Sequence, residues 1–367
     1  MIATPAHQHH QLEHKLEITK RLEDLAQEGM LRDPLKVVIL NLPDANYCEK
    51  RAERVYSAQE DARIQSCRGC VHNGLKSPER MAPEEIDAVI DTFAHQYGTR
   101  FVTINGRGDP FHPSLREATL HKICYGAEHG MTAYIFTAGD HLDEETCQTL
   151  ARHGANIMIS LYGNRFLDAG FFEEKHYRTA DEVKTALRVQ GVLHGVSDTV
   201  LAKVKIQDEQ GIAENLRRLI STYQQSEHQP EPGTTRIGMN YVVTESDLGD
   251  QGAKVRALKH SANEHGIYFV CNVPFERERY DPVTWMRLKT MAEQYSDFGK
   301  SHSTTVDGQC QMGAGSGVTV DFNGAMLRCP YMPTSEGKGK FLDLTPAERD
   351  ICIAKFREET RACVMRD

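Results

Sequence analysis

The sequence predicts an α/β protein: a partial (β/α)6 TIM-like barrel with a small C-terminal α+β domain. Three observations carry that expectation. Short apolar runs alternate with helix-like stretches from about residue 37 to 264. Glycine-rich or small polar turns recur just after those runs. Beyond about Gly315 the repeat stops and a hairpin pattern takes over.

Residues 1–10 are rich in His and Gln and read as a solvated tail. Over 11–31, Leu12, Leu16, Leu22 and Leu25 recur at roughly helical spacing, which predicts an amphipathic helix. Val37-Val38-Ile39-Leu40 is a first strand, and 83–97 a helix with Pro83 in its first turn. Phe101-Val102-Thr103-Ile104 leads into a helix over 114–129, and Ala133-Tyr134-Ile135-Phe136 into one over 143–152. A fourth strand spans 156–161 with a helix over 180–193, and a fifth spans 200–206 with a helix over 212–223. A sixth spans 236–243, followed by a helix over 251–264. Parallel strands joined this way need right-handed crossovers, which a barrel or a doubly wound open sheet both satisfy. The placing of the unusual residues favours the barrel. Cys48, Gly106 to Pro110, Thr137-Ala138-Gly139 and Ser160-Leu161-Tyr162-Gly163 all follow strand carboxyl ends, which share one mouth in a barrel.

In the C-terminal part, Val318-Thr319-Val320-Asp321 and Ala325-Met326-Leu327-Arg328 flank Phe322-Asn323-Gly324, a hairpin signal. A helix over 345–360 follows, with Pro346 in its first turn. The expected division is 1–35 (tail and helix), 36–270 (barrel) and 271–367 (small domain).

Composition narrows the function classes. Hydrophobic content of 40% and charged content of 26% are ordinary for a globular protein. A formal charge of −9 argues against nucleic acid as a main partner. No apolar stretch has the length of a membrane span and no signal-peptide layout is evident, so a cytoplasmic protein without membrane association is expected. Ten cysteines in a reducing compartment are metal ligands or free thiols more readily than disulfides. Cys124, Cys147 and Cys271 read as small buried side chains.

Cys67-Arg68-Gly69-Cys70, with Cys48 upstream, is the most informative feature. Three thiolates can hold three corners of an iron–sulfur cube and leave the fourth iron open. The alternative is a structural zinc knuckle, to which His72 could add a ligand.

Taken with the turns that follow each strand, this region resembles the radical S-adenosylmethionine superfamily. That family spaces its cysteines Cys-x3-Cys-x2-Cys; here eighteen residues separate Cys48 from Cys67 and two separate Cys67 from Cys70. The longer gap reads as a loop that leaves and returns, since lengthening a loop costs only about 0.6 kcal/mol per doubling. Gly106-Arg107-Gly108-Asp109-Pro110 resembles the family's Gly-Gly-Glu-Pro segment, with Asp109 in place of Glu. Thr137-Ala138-Gly139 resembles its Thr-Asn-Gly, and Ser160-Leu161-Tyr162-Gly163 its Ser-Leu-Asp-Gly. The resemblance covers about Val37 to Val243. It implies a site-differentiated [4Fe–4S] cluster on Cys48, Cys67 and Cys70. It also implies S-adenosylmethionine held by Gly106, Gly108, Asp109, Thr137 and Ser160, with Asp109 as acceptor for the cofactor's amino group. The implied chemistry is reductive cleavage to a 5′-deoxyadenosyl radical that abstracts a substrate hydrogen.

Cys310, Gly324 and Cys329 resemble the start of the auxiliary-cluster extension carried by some members of the family. With only Cys352 and Cys363 following, the short "twitch" form, related to the longer SPASM form, is implied. Its iron–sulfur ligands would be Cys310, Cys329 and Cys363, with Cys352 either a fourth ligand or a core residue. A small biosynthetic substrate (a sugar, cyclitol or nucleoside) is the first functional expectation, with net oxidation and an electron donor such as flavodoxin or ferredoxin. Two others stay open: modification of a ribosomally made peptide, and a non-enzymatic zinc-stabilised binding protein. Arg107, His112, Tyr162, Lys203, Lys205, Asn240 and Glu276 lie in or near the expected mouth, and none is assigned as a general base.

Overall fold

The computed structural model describes residues 11–44, 55–56, 63–64, 80–105, 108–161, 182, 185, 209–274, 277, 280–297, 305–306, 309–332 and 334–359. Its centre is an eight-stranded sheet. In chain order the strands are β1 (Ile39–Asn41), β2 (Phe101–Ile104), β3 (Thr132–Thr137), β4 (Asn156–Leu161), β5 (Ile237–Val242), β6 (Tyr268–Asn272), β7 (Gly317–Val320) and β8 (Met326–Leu327). Their spatial order is β6-β5-β4-β3-β2-β1-β7-β8, parallel throughout except for the β7–β8 hairpin. This is the expected mixed α/β class with a mostly parallel sheet.

Two features differ from expectation, and two expected elements lie on residues left undescribed. The strand expected over 200–206 lies outside the described residues, and so, apart from helical Glu182 and Thr185, does the helix over 180–193. β4 pairs directly with β5, Ile157 opposite Ile237, so no strand intervenes between those two. β6, which carries Cys271, is an added parallel neighbour of β5. Its burial on both faces leaves no alternation in the sequence to mark it. The hairpin is present, with Gly324 at φ +85° in its turn, and β7 lies parallel to β1 with Gly317 opposite Ile39. The C-terminal hairpin thus continues the barrel sheet.

Helices cover the outer face. They are α2 (Pro83–His95), α3 (Arg116–Glu128), α4 (Glu144–Arg152), α5 (Glu209–Gln224), α6 (Glu245–Gly249), α7 (Ala253–Glu264), α8 (Pro282–Tyr295) and α9 (Pro346–Glu358). Local chemistry sets several starts. Asp143 accepts from Thr146 N at the head of α4, and Asp281 from Val283 N and Thr284 N at the head of α8. Thr345 and Glu348 form a reciprocal capping box at α9, with Pro346 in its first turn. Outward strand residues such as Val102, Ile135, Ile157 and Met239 pack against Phe93, Leu150 and Leu216 in one core.

The inner face is occupied by α1 (Glu13–Gln27). Ahead of it, Gln11–Leu12 pairs in parallel with Thr234–Thr235, and Leu12 packs on Tyr134, Met158, Tyr268 and Val270. Ile18 and Leu25 pack with Val38, Ile39 and Phe101. One short helix therefore touches strands from both halves of the sheet, at their amino-terminal ends. The buried stripe is His14, Ile18 and Leu25, whereas Leu16, expected inside, is 39% exposed. The helix begins only at Glu13, and its phase is set by a histidine that polarity alone places outside.

His14 is fully enclosed, its ring 4.3 Å from that of Tyr134 and 5.3 Å from that of Phe101, and neither ring nitrogen has a partner among the described residues. Burial and the neighbouring Lys15 push its pKa down to about 3. The native state thus holds His14 neutral, while the unfolded chain takes up a proton below its ordinary value of about 6.5. Stability rises with pH from about 3 to about 6.5 on this account and is flat above it. His14→Leu, close in volume and without the unpaired nitrogens, is expected to raise the thermal midpoint and to flatten that acid limb. Thermal melts at pH 4, 5.5 and 7 check both effects.

Candidate active site

The carboxyl ends of β1 to β6 define the mouth, and the first anchor there is ionic. Asp44, three residues past β1, accepts both Arg80 Nε (2.9 Å) and Arg80 Nη2 (3.1 Å). Lys122 of α3 donates to Asp44 Oδ2 at 3.1 Å and to Leu42 O at 3.4 Å. The Lys122 side chain is 1% exposed, and burial pulls its pKa down against the pull of Asp44 upward. The Asp44–Arg80 pair sets positions 44 and 80 side by side. Cys48, Cys67 and Cys70, which fall between those two positions in the sequence, lie outside the described residues.

The second anchor joins the loops after β2 and β3. Asp109 is buried, and its Oδ1 accepts from Phe111 N (3.0 Å) and Thr137 Oγ1 (3.0 Å). Its Oδ2 accepts from Ala138 N at 2.7 Å and shares the Thr137 hydroxyl at 3.2 Å. Burial pushes the carboxyl above its ordinary range, while the Ala138 and Phe111 amides pull it back. The carboxylate is a staple between two loops, with three donors already on it. An incoming ammonium group would have to share it with them. Gly139 completes the turn at φ +85°, where a Cβ would meet Ile159 Cγ2 at 3.3 Å and Ile212 Cγ2 at 3.4 Å. Its amide donates to Thr137 Oγ1, and its carbonyl accepts from Asn215 of α5.

Behind the loops the inner face changes character. Towards the amino ends it is apolar and aromatic; towards the mouth it presents Asn41, Thr103, Thr319, Ser160, Asn240 and Asn272. Asn41 lies directly opposite Thr103 on one side and Thr319 on the other, and donates to Thr319 Oγ1 at 3.5 Å. Ser160 is opposite Asn240, whose amide oxygen accepts from Asn272 Nδ2. Asn41 Oδ1 and Thr103 Oγ1 are buried without a partner among the described residues. Buried polar atoms are almost always satisfied, so an orphaned pair in a mouth marks where a ligand's polar groups fit.

Of the residues singled out in the sequence, Asp109 and Thr137 are in contact, Ser160 is buried on β4, and Gly108 lies beside Asp109 in the same loop. Gly106, Arg107, Tyr162, Lys203, Lys205 and Glu276 lie outside the described residues, as does Cys363. His112 accepts from Ser114 N at 3.1 Å, and its ring is 6.1 Å from that of His141. Tyr331, two residues past Cys329, accepts from Asn105 Nδ2 at 3.1 Å, which ties the C-terminal hairpin to the β2 loop. Cys310 packs on the inner side with Ile18 and Met312, whereas Cys352 packs among the outer-face core residues. Cys147 and Cys271 are buried as expected, and Cys124 is half-buried.

No family model matches this chain, and no curated protein matches it. Solved structures do. Native anSMEcpe with bound AdoMet (S-adenosylmethionine) superposes with a TM-score of 0.51 at 13% identity, over 85% of this chain and 80% of that one. The same protein with bound AdoMet and the Cp18Cys peptide gives 0.50 at 11% identity, over 89% and 84%. Streptococcus suis SuiB bound to S-adenosylmethionine gives 0.50 at 11% identity, over 90% and 68%. At these identities the likeness is one of fold. The chain shares the partial-barrel fold of these S-adenosylmethionine-bound structures.

Proposed function

We propose that this chain is a radical S-adenosylmethionine enzyme acting on a small, uncharged, polar substrate. The observation that carries the reading is the inner layer at the mouth. Asn41, Thr103, Ser160, Asn240, Asn272 and Thr319 offer hydroxyls and amides there, and two of their polar atoms are buried without partners among the described residues. A hydroxyl-rich substrate or the cofactor's ribose and methionyl groups match that donor and acceptor set. Cys48, Cys67 and Cys70 would hold a [4Fe–4S] cluster, with Gly106, Gly108, Asp109, Thr137 and Ser160 around the cofactor. When bound, cluster and S-adenosylmethionine together supply a 5′-deoxyadenosyl radical that removes a substrate hydrogen. The protein's own part is positional. The Asp109–Thr137 staple fixes two loops against each other, the glycines let backbone approach, and α1 fills the amino-terminal end of the barrel against water. Cys310, Cys329 and Cys363 would serve an auxiliary cluster, with a flavodoxin or ferredoxin as electron donor.

A second reading is peptide modification, favoured by the fold likeness to anSMEcpe in its peptide-bound form. Anaerobic reconstitution followed by assay for 5′-deoxyadenosine tests the shared chemistry, and mass spectrometry of candidate sugars and peptides separates the two substrates. Cys67→Ala and Cys70→Ala are each expected to abolish 5′-deoxyadenosine formation. Zinc in place of iron and acid-labile sulfide, or undiminished cleavage in either variant, would remove the proposal.

A further inference from the structure

On the outer face, far from the mouth, α2 and α3 meet along a polar stripe. Asp87, Asp91 and His95 follow one another at helical spacing on α2, and His121, Tyr125 and His129 answer them on and just past α3. His121 Nε2 pairs with Asp87 Oδ1 at 2.6 Å, Tyr125 OH donates to Asp91 Oδ1 at 3.0 Å, and His129 Nε2 pairs with the same Asp91 oxygen at 3.0 Å. The His95 ring is 5.6 Å from that of His129. Among the described residues, one ligand atom from each of Asp91, His95 and His129 lies within 4.8 Å of the others.

The protons of His129 decide what belongs there. Its Nδ1 faces Tyr125 O at 2.8 Å, and a carbonyl oxygen only accepts, so Nδ1 carries hydrogen. Its Nε2 faces a carboxylate oxygen, also an acceptor. A neutral imidazole has a single N–H, so both contacts are satisfied only when a further cation sits at Nε2, either a second proton or a metal. His95 and Asp91 converge on that point. The outer contacts match those of ligating residues: the imidazole is oriented by a backbone carbonyl through its other nitrogen, and the carboxylate by the Tyr125 hydroxyl.

We propose that Asp91, His95 and His129 form a binding site for a divalent first-row cation, zinc by its donor set. Two imidazoles and one carboxylate with open positions left for water suit zinc, at about 2.0–2.1 Å to each nitrogen. Tetrahedral ligands at that range are about 3.3 Å apart. The Asp91–His129 pair is already near this, and exposed His95 closes in by side-chain rotation. The cation would bolt the carboxyl-terminal end of α2 to that of α3. It would stabilise the barrel wall and take no part in chemistry at the mouth.

The test is calorimetric titration of zinc into the full chain carrying His7→Ala, His9→Ala and His10→Ala, so that the tail histidines do not contribute. The cysteines are common to every variant and cancel in the comparison. His95→Gln and His129→Gln are each expected to lose one zinc equivalent or weaken it at least about 30-fold. His121→Gln, on the same stripe but beside Asp87, is expected to keep it. Zinc should also raise the thermal midpoint of the parent and of His121→Gln but not of the other two. Unchanged stoichiometry and affinity in His129→Gln, or an equal loss in His121→Gln, would overturn the assignment.

Discussion

Asp44→Ala is expected to destabilise the fold by about 3–5 kcal/mol, because it leaves Lys122 buried with no counter-charge. Among the described residues the Lys122 ammonium meets Asp44 Oδ2 and, at longer range, Leu42 O, with Arg80 competing for the same carboxylate. Burial already draws its pKa down, and Asp44 opposes that draw. Without Asp44 the lysine must lose its proton or open the wall to water. Arg80, at 32% side-chain exposure, simply returns to solvent and adds little. The diagnostic is the double variant. Asp44→Ala with Lys122→Met removes both charges, and urea unfolding should recover most of the loss. A double variant as unstable as Asp44→Ala alone would show that Asp44 acts through something other than Lys122.

That pair also shows what a sequence reveals and what it hides. Strands β1 to β4 and helices α2 to α4 are legible because each strand is a short apolar run and each helix a periodic segment, with glycine or proline at the joints. The turn after β3 and the hairpin at Phe322-Asn323-Gly324 are legible because left-handed backbone selects glycine there. Lys122 is hidden, yet a signal exists. The buried face of α3 is Thr119, Lys122, Ile123 and Gly126, an i, i+3, i+4, i+7 stripe with a lysine in its apolar phase. A charge at such a position asks for a buried partner. His14 is hidden in the same way on α1, which is why leucine spacing alone puts Leu16 on the wrong side. The polar layer at the mouth is less accessible still. Asn41, Thr103 and Thr319 come from three strands spread over the chain, and only strand register sets them side by side. No local pattern encodes a neighbour nearly three hundred residues away.

Asp109→Asn is expected to lower 5′-deoxyadenosine formation at least about 100-fold, the scale of loss that follows a displacement of about 1 Å at a reacting site. The substitution preserves size and removes an acceptor. The carboxylate receives Phe111 N and the Thr137 hydroxyl on one oxygen and Ala138 N on the other. An amide offers one oxygen and one NH2, so either Phe111 or Ala138 would face a donor with its own N–H. A buried donor left unmade costs about 1–3 kcal/mol, and the loops after β2 and β3 would part to reach water. Thr137→Val keeps both amide bonds to Asp109 and removes the hydroxyl that donates to Asp109 and accepts from Gly139 N, so its loss should stay below about thirtyfold, at ~1 kcal/mol for each of the two hydrogen bonds. The order of the two variants separates the staple from the cofactor-amine role that the sequence resemblance implies. If Asp109 served only to receive the cofactor's amino group, Asp109→Asn would raise the concentration of S-adenosylmethionine needed without loosening the fold. If it is a staple, both variants lose thermal stability in the same order as they lose activity, and saturating S-adenosylmethionine restores neither.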